Sequence, residues 1–339
     1  MAEQKSSKPI GAEVAPSARA SPAVSPAAVV LATWDRYGIL IALLLVSVTI
    51  GIAQPVFFSP VNILNVVRQI SIIGIIAIGG TMVILMGGID LSVGSVAAFT
   101  GAVAAGLMVN QNAPVPLAMG AALLVGLAIG FLSGFVSRKG GMHPFIATLG
   151  ALSVFRGLTL IYARGRPISG LPDAFLLLGG GTIGPIPVPV ILFLGLVVVA
   201  GFVLRRTTFG RSIYAIGGNP EAARLSGLAV DRIYISAFAV AGFLSALGGL
   251  VLTSRLNSAE LVAGQGYELD VIASVVIGGT SLFGGVGGVY GTLVGVLLIG
   301  VISNGLNLLG VSSYWQLVVK GVVIVIAALI DNLKRRFRR

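Results

Sequence analysis

The sequence predicts an all-α, polytopic membrane helix bundle with about ten transmembrane helices, and three observations carry that prediction. Of 339 residues, 56% are hydrophobic and only 10% are charged, far below the roughly one-quarter that a soluble surface requires. Mean hydropathy is +1.03. Charge-free stretches recur at the length of about 20 residues needed to cross a hydrocarbon core of about 30 Å. The 48 glycines suit close helix packing in lipid, where small residues let backbones approach.

Residues 1–35, rich in Ala, Ser and Pro, read as a disordered cytoplasmic tail. No apolar core follows their early lysines, as a signal peptide would need. The apolar, membrane-spanning domain is 36–331. Its first two spans fall near 38–57, closed by Gln54-Pro55, and 66–87. The break Asn110-Gln111-Asn112-Ala113-Pro114 divides the next charge-free run into 92–109 and 115–137. Spans at 143–162 and 188–204 flank a Gly/Pro-rich connection, and 233–254 lies between Arg232 and Arg255. Charge-free 271–319 holds two spans around a Gly-rich break near 284–288, and the tenth is 315–331, before a basic tail at 332–339.

An even number of spans puts both termini on one side. The net charge of +11 then follows from topology, because Lys and Arg are retained on the cytoplasmic face. With the termini cytoplasmic, the tails, Arg36 beside the first, 138–139 and the loop 205–232 place 16 of the 22 basic residues inside, while Arg68, Arg164, Arg166 and Arg255 fall outside. Basic clusters at span ends argue against nucleic acid as a partner and for membrane lipid.

Ile78-Gly79-Gly80-Thr81 recurs as Ile277-Gly278-Gly279-Thr280, and Gly87-Gly88 as Gly287-Gly288. Offsets of 199 and 200 suggest an internal repeat of glycine-interrupted helices, an arrangement transporters use to expose backbone to a solute. Chance recurrence of Gly pairs is the competing explanation.

Several polar residues bear on chemistry. Asp90, between Gly87-Gly88 and Ser92, either caps the third span or lines a translocation path, as a charge in a membrane must face protein or water. Gly278, Gly279 and Thr280 are the matching candidates in the second half. Glu268 and Asp270 read as acidic groups at a helix N-terminus, with a proton or sodium site as the alternative. Arg156 and Lys320 either snorkel to the interface or pair inside the bundle. With no Cys and a single His, His143, no catalytic set and no metal site is expected. No Gly-x-x-x-x-Gly-Lys-Ser/Thr loop occurs, so the chain is read as a non-enzyme that binds no cofactor.

Within 205–232, Asn219 is placed to cap a helix begun by Pro220, Glu221 complements the helix dipole, and Gly227 ends it. This is either a docking helix or an amphipathic connector. Glu221-Ala222-Ala223, three residues, then Gly227 matches the start of the EAA motif of ABC-importer permeases, without its later Ile-x-Leu-Pro portion. Over 36–331 the chain resembles the permeases of bacterial monosaccharide ABC importers of the ribose, xylose and galactose type. The resemblance rests on Met86-Gly87-Gly88-Ile89-Asp90-Leu91-Ser92-Val93-Gly94-Ser95, on Gly218 to Ala223, and on Val276-Ile277-Gly278-Gly279-Thr280-Ser281-Leu282-Phe283-Gly284-Gly285.

The resemblance implies a multi-pass protein of the bacterial inner (cytoplasmic) membrane that passes a neutral pentose or hexose inward. It implies a second permease subunit, making a homodimer, a periplasmic sugar-binding protein, and a cytoplasmic ATP-binding subunit that uses ATP and Mg. Asn219, Pro220, Glu221, Ala222, Ala223, Arg224 and Gly227 would couple to that ATPase. The rival expectation is an ion-coupled secondary transporter working through Asp90, Glu268 and Asp270.

Overall fold

The computed structural model describes the backbone of residues 26–338 and the side chains of 38–329, 331 and 332. Residues 1–25 of the expected tail lie outside the described residues. The chain forms two units, 1–38 and 39–339, and the packing below is that of the second.

Long apolar helices account for most of the chain. They are α1 (Pro26–Ala53), α2 (Pro60–Leu85), α3 (Val93–Asn110), α4 (Val115–Lys139), α5 (Pro144–Tyr162), α7 (Val188–Arg206), α10 (Val230–Leu256), α12 (Val289–Leu308) and α13 (Ser313–Arg338). Shorter helices are α6 (Asp173–Gly180), α8 (Thr208–Gly218), α9 (Pro220–Leu225) and α11 (Tyr267–Ile277). Among the described residues seven helices, α2 to α5, α7, α10 and α12, are long and apolar enough to cross a membrane, and Gly38–Ala53 and Ser313–Leu329 are shorter apolar stretches. This is a polytopic helical membrane bundle. The expected eighth span is instead α11, whose 11 residues are too few for a crossing of about 20, because the chain turns out of the helix at Gly278 and Gly279.

The core lies between α2 and α10. Ile72, Ile75, Ile76, Val83 and Leu85 from one, and Ala237, Phe238, Ala241 and Leu250 from the other, are fully buried. Small residues set the spacing: a Cβ on Gly242 of α10 would come 2.8 Å from Gly130 Cα of α4. Outward-facing side chains such as Leu124, Ile161, Phe202 and Val325 stay apolar, as a surface solvated by lipid requires.

Two polar pairs tie α2 to the antiparallel α12. Thr81 and Thr292 hydroxyls meet at 2.8 Å, and Asn62 and Asn304 exchange side-chain hydrogen bonds of 2.9 and 3.1 Å. Beyond the far end of α10, β1 (Ile168–Ser169) pairs antiparallel with β4 (Ser258–Ala259), and β2 (Thr182–Ile183) with β3 (Ile186–Pro187). There α6 docks on α10 through Ser254, which accepts from Gly179 N and donates to Phe175 O, both at 2.7 Å.

Candidate functional site

The segment after α2 leaves the helix at Met86 and returns as backbone without helical structure to α3. Ala97 of α3 packs on Gly249 of α10, 18 residues along α10 from Asp231. At a rise of 1.5 Å per residue, α3 begins roughly 20 Å along α10 from that aspartate. Asp90 is therefore inside the bundle, 7% exposed. Its Oδ1 accepts from Ser92 N at 2.8 Å and from Ser92 Oγ at 2.6 Å, a local turn that sets the start of α3. Thr148 of α5 holds the same segment, donating to Ile89 O and accepting from Leu91 N.

The other interrupted helix begins at the same depth. A Cβ on Gly94 of α3 would lie 2.9 Å from Glu268 Oε2, so the Glu268 carboxylate sits beside the N-terminus of α3 while belonging to the first turn of α11. Both helix ends favour a negative charge there. Arg156 of α5 donates to Leu261 O at 3.2 Å and Ala263 O at 2.9 Å, pinning the chain that leads into α11. Lys320 of α13 pairs with Asp270, Nζ to Oδ1 at 2.8 Å. Of the two alternatives for Arg156 and Lys320, both are engaged inside the bundle.

Gly278 packs on α12 against Gly291 and Thr292, and Thr280 Oγ1 accepts from Gly288 N at 3.2 Å. The linker 278–288 meets the earlier break, since Gly285 N donates to Leu85 O at 2.8 Å. Gly285 has φ +78 and a Cβ there would come 3.0 Å from Gly218 N, so only glycine fits. Gly87 touches this linker at Phe283. Asp90 and Ser92 lie away from Gly278–Thr280, on the α3 side.

The hydrophilic loop folds into α8 and α9. Asn219 Oδ1 accepts from Glu221 N and Ala222 N, both at 3.0 Å, and Pro220 takes the first helical position. Gly227, φ +83, closes the helix as Leu228 N donates to Ala223 O at 3.1 Å. Glu221, Ala222 and Arg224 are exposed, whereas Ala223 is turned inward at 5%. Leu225, absent from the expected set, stands 82% exposed. Its only sequence signal is an apolar side chain at the end of a short capped helix. Asp231 collects Arg138 at 3.0 Å, Lys139 at 2.8 Å and Arg224 at 3.7 Å, joining α9 to the α4–α5 turn beside an open cleft of about 720 Å³ that also reaches Gly87 and His143.

Tyr214 of α8 was also missed. Its hydroxyl donates to Gly287 O at 2.9 Å. Burial raises this phenol above the usual tyrosine value, against the opposing pull of Arg205.

Residues 62–328 match the family described as the permease component of branched-chain amino acid transport systems. The chain belongs to this permease family. It is 50% identical over 302 residues to the ribose import permease protein RbsC of Bacillus subtilis (strain 168), covering 88% of this chain and 94% of that one. It is 40% identical to the D-allose transport system permease protein AlsC of Escherichia coli (strain K12), over 88% and 92%. To the L-arabinose ABC transporter permease protein AraH of Azospirillum brasilense the figure is 36%, over 94% of each. No solved structure matches the chain. The permease family is thus the one that the motifs around Asp90, Glu221 and Gly278 resemble, and the chain is a multi-pass membrane protein.

Proposed function

We propose that this permease is the membrane-spanning subunit of an ATP-driven importer of a neutral monosaccharide, with ribose the first substrate to test. The observation that carries the reading is 50% identity across 94% of a ribose import permease. The spans supply Thr, Ser, Asn and glycine backbone, groups suited to hydroxyls of an uncharged solute. In this reading the termini and 205–232 face the cytoplasm of a bacterial inner membrane. The count of ten then includes the two shorter apolar stretches and one crossing made jointly by α11 and the non-helical stretch 257–266 before it, which lies beside Gly94 inside the bundle.

The chain itself hydrolyses nothing. ATP and Mg are used by a cytoplasmic ATP-binding subunit that docks on α9, where Glu221, Ala222, Arg224 and Leu225 are the contact face and Asn219, Pro220, Ala223 and Gly227 hold its shape. A second copy of the chain completes the path, and a periplasmic binding protein delivers the sugar. Gly87, Gly88, Asp90 and Ser92 form one break along the path, and Gly278, Gly279 and Thr280 the other. Both breaks would let backbone reorganise between outward and inward states.

The test is uptake of labelled ribose into proteoliposomes holding the permease and its co-expressed ATPase, with the binding protein outside. Uptake should require internal ATP and be indifferent to a proton or sodium gradient. Uptake driven by an ion gradient without ATP overturns the reading in favour of ion coupling through Asp90, Glu268 or Asp270.

A further inference from the structure

Covalent continuity would carry a stroke from α9 only along the chain, into α10 on one side and through α8 into α7 on the other, but α8 also makes a lateral connection. Tyr214 Oη donates to Gly287 O at 2.9 Å. On the same face of α8, Gly217 and Gly218 lie against the backbone of Gly284 and Gly285. The linker 278–288 is thereby pressed onto α8 over several residues. It is internally tied as well, by Gly288 N to Thr280 Oγ1 and by Ser281 N to Val286 O at 2.9 Å. Its opposite side is held by α13, where Asp331 Oδ2 accepts from Ser281 Oγ at 3.0 Å and Leu282 N at 3.2 Å.

Gly279, Gly284, Gly285 and Gly287 all have positive φ, so the linker's two ends can swing without a side-chain penalty. A cavity of about 160 Å³, bordered by Arg205, Tyr214, Gly278, Gly287 and Tyr290, adjoins it and leaves room for displacement. What the linker is joined to matters most. Upstream is α11, a helix of only 11 residues, whose first turn carries Glu268 beside Gly94 at the start of α3. Its flank is smooth, because Ser274 faces Gly295 and Gly278 faces Gly291 of α12. A short rigid helix on a glycine-lined track transmits a push along its axis, with α13 moving alongside because Lys320 holds Asp270.

We infer that α8 delivers the ATPase stroke to the linker 278–288, that α11 carries it to the junction of Gly94, Gly264 and Glu268 inside the bundle, and that Tyr214 and Asp331 are the residues positioning the linker for this. The inference rests on the docking role of α9 and adds the route by which docking reaches the path. It concerns transmission and leaves the docking contact itself unchanged.

The experiment compares three variants in the assembled complex, reading permease level in the membrane, co-purification of the ATPase, and ribose taken up per ATP hydrolysed. Leu225→Glu tests the docking role alone: loss of the ATPase upholds it, and full retention with full uptake removes it whatever the other variants do. Tyr214→Phe deletes one hydroxyl and keeps the ring. It should leave level and co-purification at wild type while uptake per ATP falls roughly three- to tenfold, the span expected for one lost neutral hydrogen bond. Asp331→Ala, which removes the acceptor of Ser281 Oγ and Leu282 N and touches neither α8 nor α9, should lower the same ratio. A wild-type ratio in Tyr214→Phe overturns the inference, as does a fall explained by lost ATPase. Should that variant not reach the membrane, the ratio in Asp331→Ala decides in its place.

Discussion

Lys320 and Asp270 form an ion pair between α13 and α11, with side chains 19% and 5% exposed and Nζ to Oδ1 at 2.8 Å. The pair anchors the last long helix to the short interrupted one. Removing one member leaves a buried charge without its counterpart, which costs about 3–5 kcal/mol. Asp270→Asn should therefore lower the unfolding temperature of the detergent-purified permease markedly. The double variant Asp270→Asn with Lys320→Met should recover most of the loss. Equal losses in the single and double variants would show that the pairing is not what the site requires.

The α4–α10 contact yields a second expectation. Gly242 and Gly130 approach so closely that a Cβ on the first would come 2.8 Å from the Cα of the second. The obstruction is backbone, which cannot rotate away, so Gly242→Val should exceed the usual overpacking cost of about 1–3 kcal/mol and deplete folded protein from the membrane. Gly120→Val on the same α4 has nothing within 4 Å of the new Cβ and serves as the control. Normal membrane levels of both would contradict this packing.

What the sequence made legible follows from which forces are local. Span lengths are fixed by lipid thickness, so nine of ten expected spans coincide with long helices or apolar stretches. The cap at Asn219 and the stop at Gly227 are local hydrogen-bond chemistry and lie where spacing puts them. The family was legible because three glycine-marked segments occur together. The depth of Asp90 was not legible, because it depends on α3 starting partway along α10. Nor was the 11-residue length of α11, since its charge-free surroundings mimic a full span. Tyr214 and Leu225 have no motif; their meaning comes only from contacts across 73 residues of sequence or from exposure. The echoed Thr81 and Thr280 occupy different settings, one near the C-terminal end of α2 against Thr292 and one closing the linker onto Gly288. The two echoed segments thus do not form equivalent structures: Gly79 and Gly80 lie within α2, whereas Gly278 and Gly279 end α11.

Thr81 and Thr292 allow that packing to be measured. Their hydroxyls, each 1% exposed or less, bond to one another at 2.8 Å. Thr81→Val strips one partner and should cost about 1–3 kcal/mol by leaving a buried hydroxyl less satisfied. Thr81→Val with Thr292→Val removes both and should cost less than the two single changes summed. Strict additivity in unfolding measurements would mean that the two hydroxyls do not act together.

The helix α9 provides the last expectation, because its cap and its contact face can be separated. Six residues make too few internal hydrogen bonds to hold a helix unaided, so the shape depends on Asn219 Oδ1 serving two backbone amides. Asn219→Ala removes that acceptor and costs about 1 kcal/mol of local helix stability. If the ATPase recognises α9 only as a formed helix, its affinity for the permease should drop by roughly fivefold, the equivalent of that energy. Asn219→Asp keeps a side-chain oxygen in place and ranks equally as a cap, so it should restore wild-type affinity, helped by a negative charge at the helix N-terminus. The global unfolding temperature should not change in either variant, because Asn219 is exposed and its side chain serves only the amides of Glu221 and Ala222 at the surface. Binding titrations of the purified ATPase against the three permeases decide the matter. Equal affinity for all three would mean that the partner reads the side chains of 205–232 and not the helix that presents them.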